Sequence, residues 1–274
     1  MPTLRKFFHY FPHYLELLGK RLNGKGNMNP HRNGEYKVLK KAIFLSKNQP
    51  FTYIDAGANI GDNVVQAHCL GMQLNKSIEI IAIEPIKQTF STLRDNTSSL
   101  RATLLNTALG NSLEPLEMQV DPEGPCSGSN SAFSHYYLED GDTETVSQTT
   151  LDQLALDLNL SHIDFLKLDI EGFELNAIFG ATKLIKNSAI DFIQLEYNQT
   201  WIKANSTIEK LLKFISDKDY SLYRITPNEL LKISAYHYTI EDFQYSNLLL
   251  ARNCCTLPLD CKREVSPATL EPSF

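Results

Sequence analysis

Short apolar runs recur along this chain, and between them apolar residues fall at three- and four-residue spacing. FTYID (51–55), IEIIAIE (78–84), ATLLN (102–106), IDFLKLD (163–169) and IDFIQLE (190–196) read as strands. The intervening stretches predict helices. One covers 62–70 and stops at Gly71, and one opens at Pro85 and buries Ile86, Phe90 and Leu93. Another is opened by Thr150, with Gln153 at capping-box spacing, and a fourth covers 173–186. A helix over 207–216 precedes YSLYRIT and SNLLLAR, two strands with no clear helix between them. This alternation predicts a parallel α/β sheet that closes with a hairpin-like final pair.

The flanks break the pattern. A short amphipathic helix around Tyr14 to Leu22 is expected to pack on the domain rather than on a membrane, and residues 23–34, rich in Gly and Asn, read as a linker. Residues 113–120 look extended, and 121–147 form a polar connection long enough to be functional or mobile. The C-terminal residues carry several prolines and no periodicity, which predicts disorder. The expected division is a helical extension and linker over 1–48, one domain over 49–253, and a disordered tail over 254–274.

Composition narrows the function. A chain of 274 residues suits one large core, and a net charge of −6 argues against a nucleic-acid surface, which needs a basic stripe. No apolar run approaches the roughly 18 residues of a membrane span, and no leader segment is convincing. The five cysteines include no C-x-x-C pair, so a thiolate metal site near Cys254, Cys255 and Cys261 is disfavoured. A reduced, cytoplasmic chain is the expectation.

In an open α/β sheet, ligands bind at the carboxyl ends of the strands. Here those ends carry Asp55, Glu84, Asn106, Asp169 and Glu196. The first is followed by DAGANIG (55–61), whose Gly57 permits a tight turn and whose Gly61 lets a helix start close to the strand. The spacing is not that of the dinucleotide fingerprint, and no Gly-Lys-Ser/Thr follows to make a Walker loop. A dehydrogenase is therefore disfavoured. Glu84, at the end of the second strand, suits a ribose diol. An anion-receiving helix start and a ribose clamp together fit S-adenosylmethionine.

YIDAGANIGD, IAIEP, LLNTALG, TTLDQL and IDFLKLDIEGFELNAIFGA stand in an order and spacing that resembles the FkbM family of S-adenosylmethionine-dependent methyltransferases, over roughly residues 50–252. The resemblance implies a class I, Rossmann-like seven-stranded sheet, its last strand antiparallel, and O-methylation of hydroxyls on sugars, glycans or similar small molecules. Carried over by position, Asp55, Gly57, Asn59 and Gly61 would line the methionine end of the cofactor. Glu84 would hold the ribose, Asn106, Thr107 and Ala108 would lie beside the adenine, and Asp169 would face the methyl-transfer region.

Asp169 and Glu171 are the candidate catalytic pair, as base or as ligands of an acceptor hydroxyl. Glu171 has the alternative of serving only a helix N-terminus. A divalent ion bridging two acceptor oxygens is a third possibility for the pair, though no metal ligand set is assigned. Lys167 shares the strand face of Asp169, so an ion pair there is expected. His68 reads as a packed or surface residue, while His135 and His237 are weak base candidates. Trp201 is either a sugar-stacking wall or an apolar anchor. SGSNS (127–131) is a linker or part of a lid. An N- or C-methyltransferase on the same fold, or a non-catalytic cofactor-binding scaffold, is the rival reading. The Asn/Asp-Pro-Pro-Tyr motif of base amino-methylation is missing where DIEG stands.

Overall fold

The computed structural model describes residues 17–20, 22–121 and 142–265. His135, SGSNS, most of the long polar connection and most of the N-terminal helix lie outside them.

The apolar runs form the centre of the sheet because helices cover both of its faces, which leaves no polar side to alternate with. β1 (Phe51–Ala56) is buried at all six positions and pairs in parallel with β2 (Ile78–Ile83), which pairs in parallel with β3 (Ala102–Leu105). Four short strands follow: β4 (Ala108–Gly110), β5 (Leu116–Gln119), β6 (Thr143–Val146) and β7 (Gln148–Thr150). They make two small sheets, β4 with β7 and β5 with β6. β8 (Ile163–Leu168) and β9 (Ile190–Tyr197) return to the main sheet on the other side of β1, both in parallel.

β10 (Tyr220–Ile225), β11 (Leu230–Ile233), β12 (Ser246–Arg252) and β13 (Cys261–Val265) complete the sheet in the order β13-β11-β10-β12-β9-β8-β1-β2-β3. β12 runs antiparallel to both β9 and β10, so the expected closing pair is present. The strand count, however, is nine rather than seven. β11 extends the edge as a hairpin after β10, and β13 pairs with β11 in parallel. β13 falls in the segment expected to be disordered. Its side chains are nearly all exposed, so backbone pairing holds it and no apolar periodicity announces it.

The helices in order are α1 (Pro30–Asn33), α2 (Glu35–Leu45), α3 (Asp62–Leu74), α4 (Lys87–Asn96), α5 (Leu151–Asp157), α6 (Glu174–Phe179), α7 (Thr182–Lys186), α8 (Thr200–Lys203) and α9 (Ile208–Ile215). α2, α3 and α4 cover one face, where Val38, Ile43, Val64 and Leu93 meet Tyr53, Phe165 and Phe192. α5 to α9 cover the other, where Leu154, Ile178, Trp201 and Leu211 meet Ile54, Leu166 and Ile193. α3 runs past Gly71 and ends at Asn75 in the left-handed conformation. The single helix expected over 173–186 is two, interrupted at Gly180 and Ala181. Thr150 caps α5 by accepting the Gln153 N–H, but Gln153 turns its own side chain to Asp157. The linker is packed: Lys25 pairs across to Ser246 and forms an ion pair with Asp242. No helix among the described residues is long and apolar enough to cross a membrane.

Candidate active site

Three strand ends converge beside β1. The N–H groups of Gly57 and Ala58 both donate to the Ile83 carbonyl at 3.0 Å, and the Asp169 N–H donates to the Ala56 carbonyl at 3.0 Å. Gly57 has φ 81°, and a Cβ there would lie 1.8 Å from the Asp169 carbonyl oxygen. Only glycine fits, and the close approach is to the neighbouring strand end as much as to any ligand. Gly61 (φ 101°) opens α3 and packs against Thr97 and Leu93 rather than into a cleft.

Between these ends lies a cleft, partly open to solvent. Gly57, Asn59, Glu84, Thr107, Ala108, Asp169 and Glu171 all line it, so seven of the ten anticipated residues meet there. The other three stand behind it. Asp55 shares the face of Tyr53 and is fully buried. Asn106 donates to the Glu84 and Pro85 carbonyls (2.9 and 2.8 Å) and so clamps the turn after β2. Gly61 is the third. The apolar wall, which includes Ile83, Leu109, Leu116, Met118 and Phe173, was not anticipated. The extended reading of 113–120 was its one signal.

At one end of the cleft, Glu84 is held by the backbone. Its Oε2 accepts the Asn59 N–H and its Oε1 the Ile86 N–H, each at 3.1 Å. Burial pushes its pKa up to about 7, against those two bonds. Each oxygen keeps a lone pair for a further donor. Asn59 is itself in the left-handed region (φ 46°), with its Oδ1 buried and lacking a donor. Both oxygens of Asp55 lack one too, and burial raises its pKa to about 6 despite the Lys167 charge.

The other end is acidic. The Lys167 ammonium donates to Asp169 Oδ2 at 2.5 Å, the ion pair expected from the strand face. Burial alone would lower the Lys167 pKa; Asp169, Asp55 and Glu35 outweigh it and raise it. Glu171 (φ 50°) follows, pushed up to about 8 by burial and then by Asp169 and Glu174. Glu196, at the end of β9, takes the Asn198 amide at 2.9 Å and is raised by burial and the same acids. Glu196 is among the strand-end residues expected at this side of the sheet, whereas sequence spacing gives no sign that Glu174 joins the group. Trp201 is an anchor: it is fully buried, donates to the Glu196 carbonyl at 3.0 Å, and meets Tyr197 edge-on. His237 caps a turn through Thr239, and neither it nor His68 lines the cleft.

A parallel sheet with its strand ends fanned around a glycine turn, closed by an antiparallel strand, is the class I methyltransferase fold. A family model for the methyltransferase FkbM domain matches residues 55–222, and the chain belongs to that family. No curated protein matches it. Similar solved structures include a SAM-dependent methyltransferase from Agrobacterium tumefaciens, at 8% identity and TM-score 0.44, covering 82% of this chain and 63% of that one. The chain thus spans less than two thirds of the Agrobacterium protein. The METTL16 methyltransferase domain is similar at 10% identity and TM-score 0.43, with 79% and 66% covered. The plantazolicin methyltransferase BamL, solved with a triazolic desmethylPZN analog and SAH, is similar at 11% identity and TM-score 0.43, with 80% and 83% covered.

Proposed function

We propose that this protein transfers a methyl group from S-adenosylmethionine to a hydroxyl of a sugar, glycan or similar small acceptor. The observation that carries the reading is a single cleft with a backbone-anchored Glu84 at one end and Asp169 at the other. The residues present suit the cofactor. Asn59 Oδ1 is a buried acceptor without a donor in the glycine turn where that turn lines the cleft, and a cationic amine is the donor it lacks. The spare lone pairs of Glu84 suit a ribose diol, and Ile83, Leu116, Met118 and Phe173 suit the flat face of adenine.

When bound, the cofactor supplies an electrophilic methyl group on a sulfonium. The work left to the chain is alignment and proton handling. Asp169, fixed by Lys167, accepts a hydrogen bond from the acceptor hydroxyl and orients its oxygen. Glu171 stands beside it as the group placed to take the proton. The acidic surroundings favour a neutral, hydroxyl-rich acceptor over a phosphate or carboxylate. Incubation with methyl-labelled S-adenosylmethionine and a panel of mono- and oligosaccharides tests this. An O-methylated product that disappears in Asp169→Asn is expected, and transfer only to amines or carbon acids would overturn the choice of oxygen.

A further inference from the structure

We propose that the acidic end of the cleft is a binding site for one divalent metal cation, held by Asp169, Glu171 and Glu196. One carboxylate oxygen from each lies within 4.8 Å of the others, a span that a shared ion can bridge. All the donors are carboxylate oxygens, which select a hard ion such as Mg²⁺, Mn²⁺ or Ca²⁺ over zinc. Three protein ligands leave room for water or for acceptor oxygens.

An independent feature points the same way. Glu174 lies outside this trio and is fully buried against the turn that carries Glu171. Its Oε1 accepts the Ile170 and Gly172 N–H groups at 3.0 and 3.3 Å, while its Oε2 has no donor among the described residues. Its charge nevertheless acts on both Glu171 and Glu196. Four carboxylates are thus gathered around one ammonium, that of Lys167, which Asp169 engages through Oδ2. One ammonium does not balance these acids when all are ionised; a second cation would, and it would take the place of the protons that burial and mutual repulsion otherwise keep on them.

The second cluster of possible ligands in the molecule makes the contrast. His162, Asp164 and Asp191 also bring their ligand atoms within 4.8 Å of one another, at the amino ends of β8 and β9. There Asp164 is already satisfied by Ser46, Asn48 and the Thr52 N–H, and Arg252 stands 2.6 Å from Asp191. There the acids are matched by Arg252 and by hydrogen-bond donors, whereas in the cleft one ammonium faces four carboxylates.

The location adds a consequence that rests on the methyl-transfer reading: an acceptor with two adjacent oxygens would chelate the ion and present one of them to the methyl group. The ion site itself does not depend on that reading. Calorimetric titration of the full chain with MnCl₂, with and without S-adenosylhomocysteine, tests it. One Mn²⁺ per chain is expected. Glu196→Gln and Glu171→Gln, each isosteric, should weaken it about tenfold or more. Asp164→Asn, at the amino end of β8, should leave it unchanged. Absence of saturable Mn²⁺ binding, or equal binding in both glutamine variants with unchanged circular dichroism, would overturn the proposal. S-adenosylhomocysteine affinity measured on the same samples keeps the two readings apart, since its loss with Mn²⁺ binding intact counts against the methyltransferase reading alone.

Discussion

The two ends of the cleft hold their carboxylates by different means. Glu84 is fixed by main-chain N–H groups, from Asn59 in the turn after β1 and from Ile86 two residues on, so its position is a property of the backbone. Asp169, Glu171, Glu174 and Glu196 stand near one another because side chains from two strand ends and a helix start meet, with Lys167 as their buried ammonium. In the first arrangement two oriented N–H groups offset part of the cost of burying the carboxylate, and burial still raises it to about 7. The second gathers four acids beside one ammonium, and burial and mutual repulsion raise Glu171, Glu174 and Glu196. In the proposed reading one end grips the cofactor and the other is completed by what it binds.

The change expected to act most strongly strikes the seam between the ends. Gly57→Ala places a methyl group 1.8 Å from the Asp169 carbonyl oxygen, in a left-handed conformation. Strain and overpacking together should cost roughly 3–5 kcal/mol in chemical denaturation. Both S-adenosylhomocysteine and Mn²⁺ binding should fall with it. A denaturation midpoint equal to that of the parent would show that the two strand ends are not locked as described.

Next in size is the pH response of the gripping end. Burial raises Asp55 to about 6 and Glu84 to about 7, above their ordinary values of 3.8 and 4.5. Over that interval the folded protein keeps protons that the unfolded chain has released. Their contribution to the stability of the free protein therefore falls as pH rises from about 4 to 7 and levels off above it. A ligand that donates to the ionised Glu84, which lines the cleft, has the opposite preference, so binding should release protons and tighten as pH rises toward 7. Calorimetry in buffers of different ionisation enthalpy measures this, and proton uptake on binding would contradict the assignment.

The smallest effect should be the most selective. Asn106→Ala removes the two amide bonds to the Glu84 and Pro85 carbonyls, at a cost of about 1–2 kcal/mol in stability. It should weaken S-adenosylhomocysteine binding a few-fold and leave Mn²⁺ binding alone. Equal losses at both ends would mean that they are mechanically one unit.

These differences also explain what could be read without coordinates. Strands such as Ile78–Ile83 and Ile163–Leu168 are buried on both sides or nearly so, and they announce themselves as apolar runs. β13 is exposed and β4, β6 and β7 are short, so none has a periodicity to detect, while β5 lies in the one segment here that reads as extended. Glu84 and Asp169 could be picked out because a strand end in such a sheet already implies a site. Asp55 shows the limit of that rule. The alternation of side chains sends it to the face of Tyr53, behind the cleft, where its charge acts without its side chain lining the wall. The meeting of Glu171 with Glu196 depends on β8 and β9 being neighbours, and that of the apolar wall on where β5 folds back. Both are products of topology, which spacing along the chain does not encode.

The central claim is that this cleft holds S-adenosylmethionine with Glu84 as its anchor. Titration calorimetry of the parent chain and of Glu84→Gln against S-adenosylmethionine tests it directly. The account predicts one cofactor per chain and an affinity at least about tenfold weaker in the variant, as expected for loss of charged hydrogen bonds. No binding to the parent, or binding that the substitution leaves unchanged, would contradict it.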